Sequence, residues 1–223
     1  MKLKLIAVVA LGAALAAAQT DADKRAQEAA SVLNEVMSIP EKSIPQDLLN
    51  KAECVVIMPG MKKGAFIVGG KYGRGFASCR KEGNVGWSAP AGMRIEGGSV
   101  GFQIGRAETD VIMLVMNQRG MQKLLTSKFT LGADASVAAG PLGRDTSAQT
   151  DALMHAEILT WSRQRGVFAG ISLNGATMRE DGDANTELYG SKLPNKQIVT
   201  GGTGVPPGAV PLVTALNKYS SRK

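Results

Sequence analysis

The sequence predicts an α+β fold: a single domain built mainly on an antiparallel, glycine-rich β-sheet or barrel-like sheet with flanking helices. Three observations carry that expectation. Apolar residues recur at helical spacing before residue 53, and from Cys54 onward the period shortens to that of strands. The 27 glycines, set against an aromatic content of 4%, favour tight turns and close strand packing over a helix bundle.

The chain opens with the pattern of an export signal covering residues 1–18. Lys2 and Lys4 supply the positive start, Leu5 to Leu15 the apolar stretch, and Ala16 and Ala18 the small residues before a cut at Gln19. The apolar run is well short of the roughly 20 residues that cross a bilayer, and the first cysteine is Cys54. Neither a spanning anchor nor an acyl anchor is therefore expected. The expected organisation is a leader at 1–18, one domain at 19–190 and a C-terminal extension at 191–223 docking on it, in an exported protein of the periplasm or extracellular space, peripheral to a membrane.

Asp21 to Met37 reads as the first helix, with Ala26, Ala29, Ala30, Val32, Leu33, Val36 and Met37 on one side and Arg25, Glu28, Asn34 and Glu35 mostly on the other. Pro40 stops it, and Ser43-Ile44-Pro45 opens a short second helix with Leu48, Leu49 and Ala52 facing inward. Strands are predicted at Cys54–Met58, Ala65–Val68 and Gly75–Cys79, divided by Pro59-Gly60 and Gly69-Gly70. Met93–Glu96, Val100–Ile104 and Val111–Met116 continue the series, Gln118–Lys128 reads as a helix, and Val137–Ala139, Ile158–Ser162, Val167–Leu173 and Ala176–Arg179 restore strand character. Short helices are predicted at Asp183–Tyr189 and Val210–Tyr219.

Cys54 and Cys79 are the only cysteines and both fall in strand-like runs. In an oxidising compartment they are expected to form a disulfide that closes a loop of about 25 residues and contributes roughly 3 kcal/mol. The other reading is two small buried thiols.

The formal net charge of +7, lowered by two on loss of Lys2 and Lys4, favours anionic partners. Sparse, scattered aromatics argue against nucleic-acid binding. Gly97-Gly98-Ser99-Val100-Gly101 matches the Gly-x-Ser-x-Gly pattern of hydrolases, but a strand-like run follows it and the only available base is the lone His155. Asp181-Gly182-Asp183-Ala184-Asn185 resembles the opening of a calcium loop, yet Thr186 holds the glycine position and Lys192 the closing acid position, so a polar turn into a helix is the better reading. No catalytic residues, no metal ligands and no cofactor are assigned. What remains is a basic, partly apolar stretch, Met58 to Phe66 with Lys62 and Lys63, followed by Lys71, Tyr72 and Arg74. A turn there would insert Met61 and Phe66 while its ammonium groups meet lipid phosphates, at about 1 kcal/mol per cation near an anionic surface; the alternative is an ordinary solvated turn.

In order along the chain, Ile44-Pro45 with Leu49, Lys51 and Ala52, Gly69-Gly70 with Gly73 and Gly75, Trp87-Ser88-Ala89-Pro90, Gly97-Gly98-Ser99 with Gly101, Gln103-Ile104-Gly105 with Asp110, Ala139-Gly140-Pro141-Leu142-Gly143-Arg144, Gly166 to Gly170 and Tyr189-Gly190 resemble the SYLF domain family. The resemblance covers roughly Asp21 to Gly190. It implies non-enzymatic binding of membranes, attributed in the family to the amphipathic N-terminal segment and nearby basic residues. On that basis Lys24 and Arg25 join Lys62, Lys63, Lys71 and Arg74 as expected lipid contacts. With an export signal, anionic phospholipid is the expected partner; the alternative is an envelope structural or protein-interaction module with an envelope protein partner. The residues do not define an oligomeric state.

Overall fold

Thr20 starts the first helix, α1 (Asp21–Met37), through a capping box: the Asp23 amide donates to Thr20 Oγ1 at 3.0 Å and the Thr20 amide to Asp23 Oδ2 at 2.9 Å. The computed structural model that shows this describes residues 19–41, 43–65, 68–81, 83, 85–100, 105–142, 155–164, 167–168 and 173–220, so the expected leader lies outside the described residues. The apolar stripe of α1, from Ala22 to Val36, is buried. A short α2 (Gln46–Lys51) follows Pro45, with Leu49 and Ala52 buried.

Among the described residues nine strands then form one sheet: β1 (Cys54–Ala65), β2 (Val68–Cys79), β3 (Ala91–Val100), β4 (Gly105–Val115), β5 (Lys128–Thr130), β6 (Val137–Ala139), β7 (Ile158–Gln164), β8 (Val167–Phe168) and β9 (Thr177–Glu180). Their order is β5-β9-β3-β2-β1-β4-β7-β6, with β8 on β7, and every pairing is antiparallel except β6 with β7. Further α-helices among the described residues are α3 (Gln118–Leu124), α4 (Gly182–Tyr189), α5 (Asn195–Thr200) and α6 (Val210–Ser220).

Alternation along each strand splits the apolar residues between two cores. On the outer face Val55, Ile57, Phe76, Ile112, Leu114, Leu159 and Trp161 pack under α1, α2, α4 and α6. On the inner face Cys54, Val56, Met58, Met61, Met93, Ile95, Val111, Met113 and Val115 meet Phe129, Ile158 and Met178 from the flanking strands and Ile198 and Val199 from α5, so the sheet curls around its own apolar side. Double burial explains why Cys54–Met58 and Val111–Val115 read as unbroken apolar runs although the strands are antiparallel.

Several expected boundaries move. Pro59-Gly60 does not end a strand; it forms a bulge inside β1, with the register shifting between Met58 and Met61 and Gly60 at φ +55°. Gly69-Gly70 likewise lies inside β2. Of the expected Ala65–Val68 strand, Ala65 ends β1 and Val68 begins β2; its Phe66 and Ile67, the residues 101–104 of the Val100–Ile104 expectation, and residues 169–172 of the Val167–Leu173 expectation lie outside the described residues. The expected Gln118–Lys128 helix ends at Leu124, and Lys128 begins β5.

Cys54 and Cys79 face each other in the β1–β2 ladder, Cα atoms 3.9 Å apart, and are joined as the expected disulfide, fully buried on the inner face. Next to it, buried Arg80 reaches across to the helix ends. Its Nη2 donates to Leu49 O at 3.1 Å, its Nη1 donates to Ser220 O, and its guanidinium lies 3.8 Å from the centre of the Trp87 ring. Trp87 Nε1 also donates to Ser220 O, at 3.0 Å. The segment after residue 190 thus docks firmly: α6 lies on α1 and its last turn is pinned beside the disulfide.

A basic surface on the open end of the sheet

The helices cover the outer face of the sheet only toward its Cys54 end. Beyond the β1 bulge, Lys62 pairs in register with Tyr72 of β2 and Glu108 of β4, and Lys63 pairs with Lys71 and Ala107. Lys62 is exposed and Tyr72 is 47% exposed, large for an aromatic ring. Gly70 and Gly98 lie opposite each other on β2 and β3, and a Cβ at either meets nothing within 4 Å. Among the described residues, nothing therefore covers the outer face at Gly70 and Gly98, which Lys62 and Tyr72 border.

The expected lipid-inserting turn is corrected at Met61, while its Phe66 lies outside the described residues. Lys62 and Lys63 sit in a paired strand, and Met61, 1% exposed, is part of the inner core and not available for insertion. The apolar side of α1 is equally committed, since it fills the outer core.

Lys24 projects from the first turns of α1 and forms an ion pair with Asp21 at 3.5 Å. Arg74 instead binds Asp181, the N-cap of α4, while Arg25, whose Nη1 is buried without a hydrogen-bond partner, adds only a weaker charge interaction with that carboxylate. Arg74 holds that carboxylate through both Nε and Nη2, the latter at 2.8 Å, and the Ala184 amide donates to Asp181 Oδ1 at 3.3 Å. Burial alone pushes the Asp181 carboxyl up, but the hydrogen bonds from Arg74 and Ala184 and the charges of Arg74 and Arg25 outweigh it and hold the group below the usual carboxylate range. The same hydrogen bond, against a smaller opposing contribution from burial, raises Arg74 above the ordinary arginine value. The structure thus places Lys62, Lys63 and Lys71 on one hairpin, with Lys71 alternating to the face opposite Lys62 and Tyr72, pairs Arg74 with Asp181, and leaves Lys24 apart.

Sequence reasoning missed three cations that the register aligns with Arg74: Arg94 on β3, Arg179 on β9 and Lys128 on β5. The local signal was present, because Met93-Arg94-Ile95 and Met178-Arg179 alternate buried apolar with outward basic residues. The alignment itself depends on pairings between strands far apart in sequence.

The other chemical motifs resolve into structure. Ser99 lies within β3, not at a strand-to-helix turn, opposite Gly69 and hence at the hairpin end of the sheet, whereas His155 precedes Ile158, whose partner Val115 lies opposite Cys54 at the other end. Asp181 caps a helix, as the polar-turn reading expected. Among the described residues no group of three or more His, Cys, Asp or Glu could hold a metal ion, and no helix is long and apolar enough to cross a membrane. A half-open cleft of about 550 Å³ lies near the disulfide end, lined among others by Glu53, Lys81, Gln118, Met121, Ile198 and Thr203. It contains none of the expected lipid contacts.

The family described as Ysc84, Las17-binding protein actin regulator, matches residues 96–219. The chain belongs to this Ysc84, or SYLF, family. The SH3 domain-containing protein PJ696.02 of Schizosaccharomyces pombe is 35% identical over 180 residues, covering 79% of this chain and 41% of that protein. Protein YSC84 of Saccharomyces cerevisiae is 33% identical over 182 residues, covering 79% and 38%. The human SH3 domain-containing YSC84-like protein 1 is 30% identical over 203 residues, covering 88% and 59%. The chain thus spans roughly two fifths to three fifths of the length of these relatives. The SYLF match includes α4, α5 and most of α6, in keeping with the packing of that segment into both cores.

Proposed function

We propose that this SYLF-family chain is a non-catalytic, exported binding domain that meets anionic phospholipid surfaces by charge, with α1 docked throughout. The observation that carries the reading is the exposed Lys62 beside the half-exposed Tyr72 on a part of the outer face that the helices leave bare. Each cation near an anionic surface contributes about 1 kcal/mol, and a tyrosine ring suits the headgroup boundary. Burial of both Met61 and the α1 stripe favours contact over insertion. The buried Cys54–Cys79 disulfide supports an oxidising compartment and hence export.

Flotation with vesicles tests this. Binding is expected to anionic but not neutral vesicles, weakened by salt and reduced by Lys62→Glu; absence of binding to anionic vesicles at low salt contradicts it.

A second reading has its own support. Relatives in this family bear names such as LAS seventeen-binding protein 3, which favours a protein-interaction module with an envelope protein as partner. Recovery of one stoichiometric partner on the protein, with no vesicle binding, selects that reading.

A further inference from the structure

One cross-strand row on the outer face carries four cations side by side: Lys128 on β5, Arg179 on β9, Arg94 on β3 and Arg74 on β2, each directly opposite the next. Neighbouring strands lie about 4.8 Å apart, so the row runs about 14 Å across the sheet. Like charges directly opposite one another destabilise a sheet. Among the described residues, two carboxylates lie at ion-pair distance of the row. Asp181 is taken by Arg74, and Glu96 is shared, its oxygens 3.2 Å from Arg94 Nε and 3.5 Å from Arg179 Nε. Those contacts are close in charge but poorly aligned, for both Nε groups are buried without a hydrogen-bond partner. Among the described residues Lys128 has no carboxylate at ion-pair distance. The row carries a net charge of +2, and three of its four cations have one acid between them.

The shape of the strip narrows the ligand. One residue pair away, Gly92 is roofed by α4, where a Cβ would sit 2.7 Å from Asp181 O and 2.9 Å from Ala184 Cβ. The cations therefore line the foot of a step between helix layer and open sheet, and the Arg94 and Arg179 side chains are recessed, at 35% and 38% exposure. A flat bilayer meets protruding groups such as Lys62, whereas a chain can lie along a recessed line. Guanidinium forks match tetrahedral phosphate oxygens. The row itself carries no aromatic ring on which a sugar or base would stack; Tyr72 stands one row away.

We propose that this strip binds a linear polyphosphate chain, laid across β5, β9, β3 and β2 at the foot of α4. It is a site separate from the lipid-facing Lys62 and Tyr72, and it does not depend on the lipid reading.

The test is titration of the full chain with long-chain inorganic polyphosphate, with heparin and anionic vesicles as comparison ligands. The intact protein is expected to bind polyphosphate, with affinity falling as salt rises. The double variant R94Q/R179Q is expected to bind at least about tenfold more weakly, from the loss of two charge-assisted contacts, while floating with anionic vesicles as the unmodified protein does. Because that variant removes packed side chains, Glu96→Gln supplies an opposite readout: freeing both guanidiniums should tighten polyphosphate binding by about threefold or more. No binding of polyphosphate, equal binding by R94Q/R179Q, no gain in Glu96→Gln, or tighter binding of heparin than of polyphosphate at equal charge overturns the proposal. Loss of vesicle flotation in R94Q/R179Q also overturns it, by making the strip part of the lipid surface; failure of flotation in every form leaves the polyphosphate result standing and rejects only the lipid reading.

Discussion

The two ends of β1 obey different physics. From Cys54 to Met58 the strand is buried on both faces, under helices on one side and around a methionine-rich core on the other. Past the Gly60 bulge the inner face still holds Met61, but the outer face is open, bordered by Lys62, Tyr72 and bare glycines. One strand therefore carries much of the buried core at one end and the proposed binding surface at the other. Changes at the closed end should cost stability, and changes at the open end should cost binding alone.

The largest effect is expected from Leu114→Ala, which empties a fully buried position under the helices; chemical denaturation should show a loss of about 3 to 5 kcal/mol. Opening the cross-link with Cys54→Ser and Cys79→Ser should cost about 3 kcal/mol, read in the same way without reductant.

Asp181→Asn comes next, at about 1 to 2 kcal/mol, since it weakens both the Arg74 pair and the α4 cap. Its pH signature has a definite sign. The folded carboxyl titrates below the unfolded value of about 3.9, so its stabilisation is present above that value and is lost as pH falls through the folded one. Acid titration of stability should therefore be flatter below pH of about 4 in the variant than in the unmodified protein. Smallest on stability is Lys62→Glu, expected to stay within about 0.5 kcal/mol while reducing flotation with anionic vesicles. A stability loss there as large as that of Leu114→Ala would erase the contrast between the two ends.

Local pattern made much of the fold legible. The stripe from Ala26 to Met37 marked α1, and the three residues of β6 fell where Val137–Ala139 placed them. Where the reading failed, the reason is mostly nonlocal. Pro59-Gly60 carries the signature of a turn, but pairing on both sides with β2 and β4 keeps β1 running through it as a bulge. Asn195–Thr200 is too short for helical periodicity to emerge, and its helix is held by Ile198 and Val199 entering the inner core. The candidate site was legible as composition, in Lys62, Lys63, Lys71 and Arg74, but not as geometry. That Arg74 would be bound to Asp181, and that Arg94, Arg179 and Lys128 would line up beside it, depends on registers between segments up to about a hundred residues apart.

The central claim is that this surface works with α1 in place. Hydrogen–deuterium exchange of the protein with and without saturating anionic vesicles tests it directly. The account predicts that amides of α1 from Arg25 to Met37 keep their protection on binding, because its apolar stripe stays packed against the sheet and α6. Loss of that protection on the vesicle would show α1 leaving the core to enter the lipid, and would contradict the account.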